Sequence, residues 1–166
     1  CEGEPAALRK YGYVEDVKKI TPQSAAETFL RVRRTARVET LGGELVSYRD
    51  ERGLEYIWGG DPAYWPGRNP LLFPIVGMLK EGKIRFDGRE YAMERHGFAR
   101  RREFTPAARG EDWVRLELRE SAETLALYPY PFRLAVEQRL TDTGFSTAVT
   151  VANPGEGPLP FCLGAH

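Results

Sequence analysis

Apolar and polar residues alternate in several short segments of the chain, a spacing of two that is typical of strands with one buried face. The clearest segment is Trp113–Leu118, in which apolar and charged residues alternate from Val114 onward. Similar segments, separated by turn residues, are 36–40, 44–48, 54–58, 83–86, 90–92, 132–140, 145–151 and 159–163. The pattern predicts a mainly β fold, an antiparallel β-sandwich or supersandwich.

Turn residues support this reading. Asp87-Gly88 stands between two strand-like segments and predicts a hairpin. Residues 59–80 hold so many prolines and glycines that regular structure is excluded. Tyr64, Trp65 and the apolar residues 71–73 give this stretch material to pack, so a long shaped loop is predicted rather than disorder.

The first 34 residues differ from the rest, and we predict an N-terminal extension over 1–34 and a sandwich domain over 35–166. Ser24 and Glu27 have the spacing of a capping box, which favours a helix over 25–34. Residues 28–33 also suit a first strand. So short a segment does not separate the two alternatives.

Composition narrows the classes of function. The 166 residues are 42% apolar, enough for one domain with a real core. Lysine plus arginine and aspartate plus glutamate number 24 each, so charge gives no reason to expect a nucleic-acid partner. No apolar run approaches the roughly 20 residues of a membrane helix, and we expect no membrane partner. The sequence leaves the oligomeric state open.

The two cysteines, Cys1 and Cys162, provide neither a disulfide framework nor a zinc spacing, so no metal is expected and a reducing cytoplasm is the expected location. The chain opens on Cys1 and stops at His166 within a strand-like segment. We therefore expect it to be the N-terminal part of a longer reading frame.

Candidate chemistry begins with the only two histidines. His96 precedes Gly97, and His166 follows Gly164-Ala165, so small residues give other groups close access to both imidazoles. Imidazole is well suited to proton transfer near neutral pH. Either histidine alone would more often be structural or solvated.

Two arginines and two aromatic residues are further candidates. Arg68, in the proline-rich loop, and Arg100 could bind hydroxyl groups or a phosphate, although each also suits an ordinary surface position. Trp65 and Phe98 could stack on a sugar ring or fill the core.

Five segments in order resemble the aldose 1-epimerase (galactose mutarotase-like) family, in the branch that includes LacX-like proteins. The resemblance covers roughly residues 35–166, and its segments are Trp65–Gly77, His96–Arg100, Tyr128–Phe132, Val151–Asn153 and Phe161–His166. A segment similar to His96–Arg100 also occurs in hexose-6-phosphate epimerases. The family's fold is an antiparallel β-supersandwich, in agreement with the strand pattern.

The resemblance implies an isomerase that interconverts the α and β anomers of a hexose by acid–base ring opening, without a cofactor. His166 would be the acid that protonates the ring oxygen, and His96 would stabilise the developing charge. Arg68 and Arg100 would bind hydroxyl groups, or a phosphate if the substrate carries one. From their residue type alone, Trp65 and Phe98 are added as candidate aromatic contacts. The family's glutamate base would lie beyond His166, so the catalytic set in this chain is expected to be incomplete. The alternatives are a hexose-6-phosphate 1-epimerase and a non-catalytic carbohydrate-binding module.

Overall fold

Short antiparallel strands make up most of the structure, a computed structural model that describes residues 26–31 and 34–166. In chain order the strands are β1 (Ala26–Arg31), β2 (Arg34–Glu39), β3 (Leu45–Arg49), β4 (Leu71–Leu72), β5 (Lys83–Phe86), β6 (Arg89–Ala92), β7 (Thr105–Arg109), β8 (Trp113–Arg119), β9 (Arg133–Leu140), β10 (Phe145–Ala152) and β11 (Gly164–Ala165). One helix, α1, spans Ala122–Leu127, and short 3-10 turns occupy Lys80–Gly82 and Ala99–Arg101.

Two larger sheets face each other. One has the strand order β1-β2-β3 and the other the order β10-β9-β8-β7, while β11-β4 and β5-β6 are separate pairs. All of these pairings are antiparallel. Strand β2 packs on β9, and both sheets contribute side chains to one hydrophobic core. The predicted mainly β, antiparallel sandwich is confirmed.

Strand β8 shows how the sequence sets the burial. Val114, Leu116 and Leu118 are buried, and the residues between them are partly exposed. Full burial of such a side chain stabilises the fold by about 1.5–3 kcal/mol, so a shift of one residue in register would be strongly unfavourable. The alternation in the sequence therefore determines which face of β8 meets the core.

The N-terminal alternatives are decided in favour of a strand. Ala26–Arg31 forms β1 and pairs with β2 along its whole length, from Ala26 opposite Glu39 to Arg31 opposite Arg34. The helix suggested by the capping-box spacing is wrong, because pairing with β2 satisfies the backbone groups of this segment. Ser24 and residues 32–33 lie outside the described residues, and the domain boundary at residue 35 stays a prediction.

Two predicted strands are absent as such from the described part of the chain. In segment 54–58, one carboxylate oxygen of Glu55 accepts the backbone amides of Tyr48 and Ile57, at 2.9 and 3.0 Å. The segment forms no strand and has an isolated β-bridge between Arg49 and Glu55. Segment 159–163 is irregular up to β11, because proline at 158 and 160 removes two amide donors.

An aromatic cluster lies inside the sandwich beside the 3-10 turn Ala99–Arg101. Phe73, Phe132 and Tyr128 are fully buried, and the ring centres of Phe73 and Phe132 are 5.2 Å apart. Burial raises the pKa of Tyr128, whose hydroxyl donates to the carbonyl oxygen of Pro160 at 2.8 Å. The cluster thereby joins the region before β9 to the segment that leads into β11. Within the described residues, no helix is long and apolar enough to cross a membrane.

Candidate active site

The two histidines, 70 positions apart in the sequence, meet in space. Their Nε2 atoms are 3.5 Å apart, their ring centres are 5.1 Å apart, and the rings are nearly perpendicular at 86°. His96 is buried in a tight turn, and His166 is exposed directly after β11. Two groups that can exchange protons thus face each other at the surface of the sandwich.

A strained turn places His96. Its φ angle of 68° lies in the left-handed region, and that of Gly97 is 72°. The carbonyl oxygen of Phe73 accepts the amides of Phe98 and Ala99, at 3.0 and 3.2 Å. A Cβ on Gly97 would lie 2.2 Å from the same oxygen, so only glycine fits. Phe73 therefore fixes the end of the turn that carries His96.

The backbone of Gly77 sets the protonation of the His96 ring. The Gly77 amide donates to His96 Nδ1 at 3.0 Å, and the His96 amide donates to the Gly77 carbonyl at 2.8 Å. Because a backbone amide can only donate, Nδ1 is the acceptor and the proton of the neutral ring is on Nε2. Burial is the largest cause that lowers the pKa of His96, and the charges of Arg95, His166 and Arg100 lower it further. The neutral form with Nε2–H directed toward His166 is therefore favoured.

His166 is placed by β11 and by the proline-rich loop. Gly164 and Ala165 pair with Leu72 and Leu71, and the amide of His166 donates to the carbonyl of Pro70 at 3.3 Å. The Trp65 ring lies edge-on to the imidazole, with ring centres 6.2 Å apart. The exclusion of regular structure from residues 59–80 is wrong at Leu71–Leu72, which form β4, and the rest of the predicted loop contributes Trp65 beside the histidine pair.

Residues 59–70 hold Trp65 and Arg68 through specific contacts. Trp58 Nε1 donates to the Trp65 carbonyl at 2.9 Å, and the Trp65 ring lies so close to Gly67 that a Cβ there would be 2.6 Å from Cζ2. One carboxylate oxygen of Glu44 accepts the amides of Arg68 and Asn69, at 2.8 and 2.6 Å. Glu44 therefore anchors the end of the loop to the hairpin of β2 and β3.

The two predicted arginines have different surroundings. The half-buried Arg68 side chain passes over Gly60, where a Cβ would be 3.1 Å from Cζ. Arg100 Nη2 donates to the carbonyl of Arg95 at 2.9 Å, and its Nε is buried without a hydrogen-bond partner among the described residues. Since its charge lowers the pKa of His96, Arg100 lies within electrostatic range of the histidine pair.

Phe98 is not a surface contact. Its side chain is only 5% exposed, and its ring packs on Phe73 and Phe132 at centre distances of 6.2 and 5.8 Å. It also borders a cavity of about 410 Å³ whose lining includes neither histidine. The expectation that Phe98 stacks on a sugar is therefore corrected: its ring is part of the core.

Sequence reasoning missed three residues that shape the site: Glu44, Gly77 and Arg95. Arg95 Nε lies 3.2 Å from His96 Nε2. Its place next to His96 in the sequence was the only signal that could have identified Arg95. Glu44 and Gly77 gave no such signal, because the residues that they contact are far away in the sequence. Within the described residues, no three His, Cys, Asp or Glu side chains form a group that could hold a metal ion.

Comparisons with known proteins point in one direction. The family model for aldose 1-epimerase matches residues 31–166. The plasmid-encoded protein LacX of Lactococcus lactis subsp. lactis is 38% identical over 138 residues, which are 80% of this chain and 46% of that protein. The chain therefore spans about half the length of the curated relatives that it matches.

Solved structures of similar proteins share the fold of this chain. A galactose mutarotase-like protein from Lactobacillus casei superposes with a TM-score of 0.82 at 33% identity, covering 85% of this chain and 48% of that one. A galactose mutarotase related enzyme from Lactobacillus acidophilus superposes with a TM-score of 0.83 at 26% identity, covering 86% of this chain and 48% of that one. On the match over residues 31–166 and the shared fold, this chain belongs to the aldose 1-epimerase family.

Proposed function

We propose that this protein interconverts the α and β anomers of an unphosphorylated hexose by acid–base ring opening. The observation that carries the proposal is the pair of facing Nε2 atoms of His96 and His166, 3.5 Å apart beside the aromatic edge of Trp65. Family membership supports an epimerase, and the names of the solved relatives include galactose mutarotase-like proteins. The anomeric reaction on a hexose is our extension of that support.

In the proposed reaction, the bond between C1 and the ring oxygen breaks. His166 gives a proton to the ring oxygen, solvent water takes the proton of the anomeric hydroxyl, and the electrons of that O–H bond form the C1 carbonyl. Rotation about the C1–C2 bond and ring closure in the reverse sense then give the other anomer. No electron leaves the sugar, so proton transfer is sufficient.

His96 would be a donor rather than a base in this scheme. Its Nδ1 accepts the Gly77 amide, so the neutral ring offers only Nε2–H to a ligand. A neutral donor beside the ring oxygen stabilises negative charge as it develops there, and it does not compete with His166 for the transferred proton.

The surrounding side chains would bind the rest of the sugar. Trp65, 42% exposed, offers an indole to the C–H face of a pyranose. The guanidinium groups of Arg68 and Arg100 would donate to hydroxyl oxygens. Among residues 34–166 we assign no general base.

Exchange spectroscopy by NMR, with separate signals for the two anomers, tests the proposal. Purified protein, in a buffer free of imidazole, should accelerate anomer exchange of D-galactose or D-glucose only weakly, because no general base is assigned among residues 34–166. His166→Asn should abolish the acceleration without loss of the fold. The control variant is Lys83→Gln, a change on the exposed hairpin of β5 and β6, which should keep the full rate. An unchanged rate in His166→Asn would contradict the role of His166.

Two other functions are outcomes of the same experiment. Arg68 and Arg100 would also suit a phosphate, so a preference for D-glucose 6-phosphate that is lost in Arg68→Ala or Arg100→Ala favours a hexose-6-phosphate 1-epimerase. Binding of either sugar with no acceleration of exchange favours a carbohydrate-binding module.

A further inference from the structure

Two N–H groups approach the imidazole ring of His96 from different sides. Arg95 Nε lies 3.2 Å from His96 Nε2, while the Gly77 amide lies 3.0 Å from His96 Nδ1. Both approaching groups are donors, and a neutral imidazole has only one acceptor nitrogen. One of the two N–H groups therefore faces another N–H.

The backbone decides which contact is the hydrogen bond. The Gly77 amide is fixed in direction and is part of a reciprocal pair, because the Gly77 carbonyl accepts the His96 amide at 2.8 Å. Arg95 is exposed, and its long side chain can move. Nδ1 therefore accepts from Gly77, and the Arg95 Nε–H faces the Nε2–H of His96 with no acceptor between them.

The His96 Nε2–H faces His166 Nε2 at 3.5 Å and also lies next to Arg95 Nε at 3.2 Å, so an oxygen atom placed beside the pair would have two neighbouring donors. We propose that Arg95 Nε and His96 Nε2 together bind the sugar oxygen on which negative charge develops, so that Arg95 is a further catalytic residue. This inference rests on the proposed function for the identity of the oxygen. A guanidinium stays charged at all relevant pH values, so its hydrogen bond to that oxygen strengthens as the charge grows.

The surroundings of Arg95 support this role. Arg100 Nη2 donates to the Arg95 carbonyl at 2.9 Å, which holds the Arg95 backbone beside the turn of His96. By contrast, the nearby Arg101 forms an ion pair with Glu94 at 2.6 Å. Arg101 thus serves as a matched control, an exposed arginine of the same segment with a partner of its own.

The first test needs no sugar. With only two histidines in the chain, long-range ¹H–¹⁵N NMR reports the tautomer of each ring, and formate is a small oxyanion probe of the two donors. We expect a His96 ring protonated on Nε2, whose resonance shifts on formate addition, with the shift lost in Arg95→Gln and kept in Arg101→Gln. A ring protonated on Nδ1, or an equal formate shift in Arg95→Gln, overturns the inference.

The second test is kinetic. Loss of one donor to a charged oxygen costs about 10²–10³-fold in oxyanion sites, and because His96 remains we expect kcat for D-galactose exchange to fall by about 10- to 100-fold in Arg95→Gln, with little change in KM. Arg95→Lys should recover part of the loss, and Arg101→Gln should match the unaltered protein. Equal kcat in Arg95→Gln overturns the inference. If the unaltered protein exchanges no anomers, the proposed function fails, and the formate titration still decides whether the two-donor site exists.

Discussion

The α-carbon of Gly97 lies so close to Phe73 that a Cβ at residue 97 would be 2.2 Å from the Phe73 carbonyl oxygen. The same oxygen accepts the amides of Phe98 and Ala99. The backbone around His96 is therefore held against β4 and the residue that follows it, with no space for any side chain at residue 97.

Gly97→Ala should be strongly destabilising. The φ angle of 72° and the contact with Phe73 both oppose a Cβ, and we expect a loss of about 2–4 kcal/mol in the free energy of unfolding, measured by urea denaturation. Gly88→Ala is the matched control, because Gly88 has a φ angle of 79° and nothing within 4 Å of the added Cβ. That variant should lose only about 1 kcal/mol. Equal losses in the two variants would show that the contact with Phe73 has no effect.

Glu44→Ala should release the end of the proline-rich loop. One oxygen of Glu44 accepts two amides, those of Arg68 and Asn69, and leaving partly buried amides without an acceptor costs about 1–3 kcal/mol in total. Near-UV circular dichroism should show a changed tryptophan environment, since Trp65 lies in this loop. Glu44→Gln keeps an acceptor oxygen and should lose less. Glu51→Gln, which breaks an exposed ion pair with Arg34, should leave the tryptophan signal unchanged.

The stability of the protein should depend on pH through His96. The pKa of His96 is lowered below 6.5 in the folded state, first by burial and then by Arg95, His166 and Arg100. Between the folded pKa and 6.5 the unfolded chain binds more protons, so the free energy of unfolding should rise with pH and level off above about 6.5. Thermal unfolding from pH 5 to 7.5 measures the slope. His96→Gln should flatten it, and an unchanged slope would be evidence against a neutral buried ring.

The carboxyl group of Asp50 should affect the stability of the protein at lower pH than His96 does. Burial opposes ionisation of its carboxyl group, but the amides of Leu54 and Arg52, the Arg52 guanidinium and the Tyr56 hydroxyl lower its pKa from 3.8 to about 2. The charged form therefore stabilises the fold above pH 3.8, and this contribution is lost as the pH falls through about 2. We expect Asp50→Asn to be less stable than the unaltered protein at pH 5, with the difference shrinking toward pH 2. A constant difference would contradict the lowered pKa.

The strands that could be predicted from the sequence are those whose formation depends on their own residues and turns. The alternation in Trp113–Leu118 and the Asp87-Gly88 turn identified β8 and the hairpin of β5 and β6, because burial and turn geometry act locally there. Strand β7 was missed because all five of its residues are exposed and Pro106 interrupts it. The helix α1 was missed because its capping box has Thr124, rather than glutamate or glutamine, three residues after Ser121.

The candidate site was only partly predictable for a related reason. The small residues beside His96 and His166 indicated that other groups could approach the two imidazoles, and the resemblance assigned their roles. The contacts that position these side chains join distant residues: Gly77 to His96, and Glu44 to Arg68. Phe98 could not be assigned to core or surface from sequence, because an aromatic ring suits both. Only the packing on Phe73 and Phe132 placed it in the core.

The hydrogen bond from Gly77 to His96 Nδ1 also has a genetic consequence. Its donor is a main-chain amide, so a change of side chain at residue 77 leaves the donor atom in place. Only proline would delete it, and the φ angle of 90° at Gly77 is incompatible with proline as well. The tautomer of His96 is therefore encoded by the course of the chain rather than by the identity of a partner side chain, and substitutions at residue 77 other than proline can disturb it only by moving the backbone.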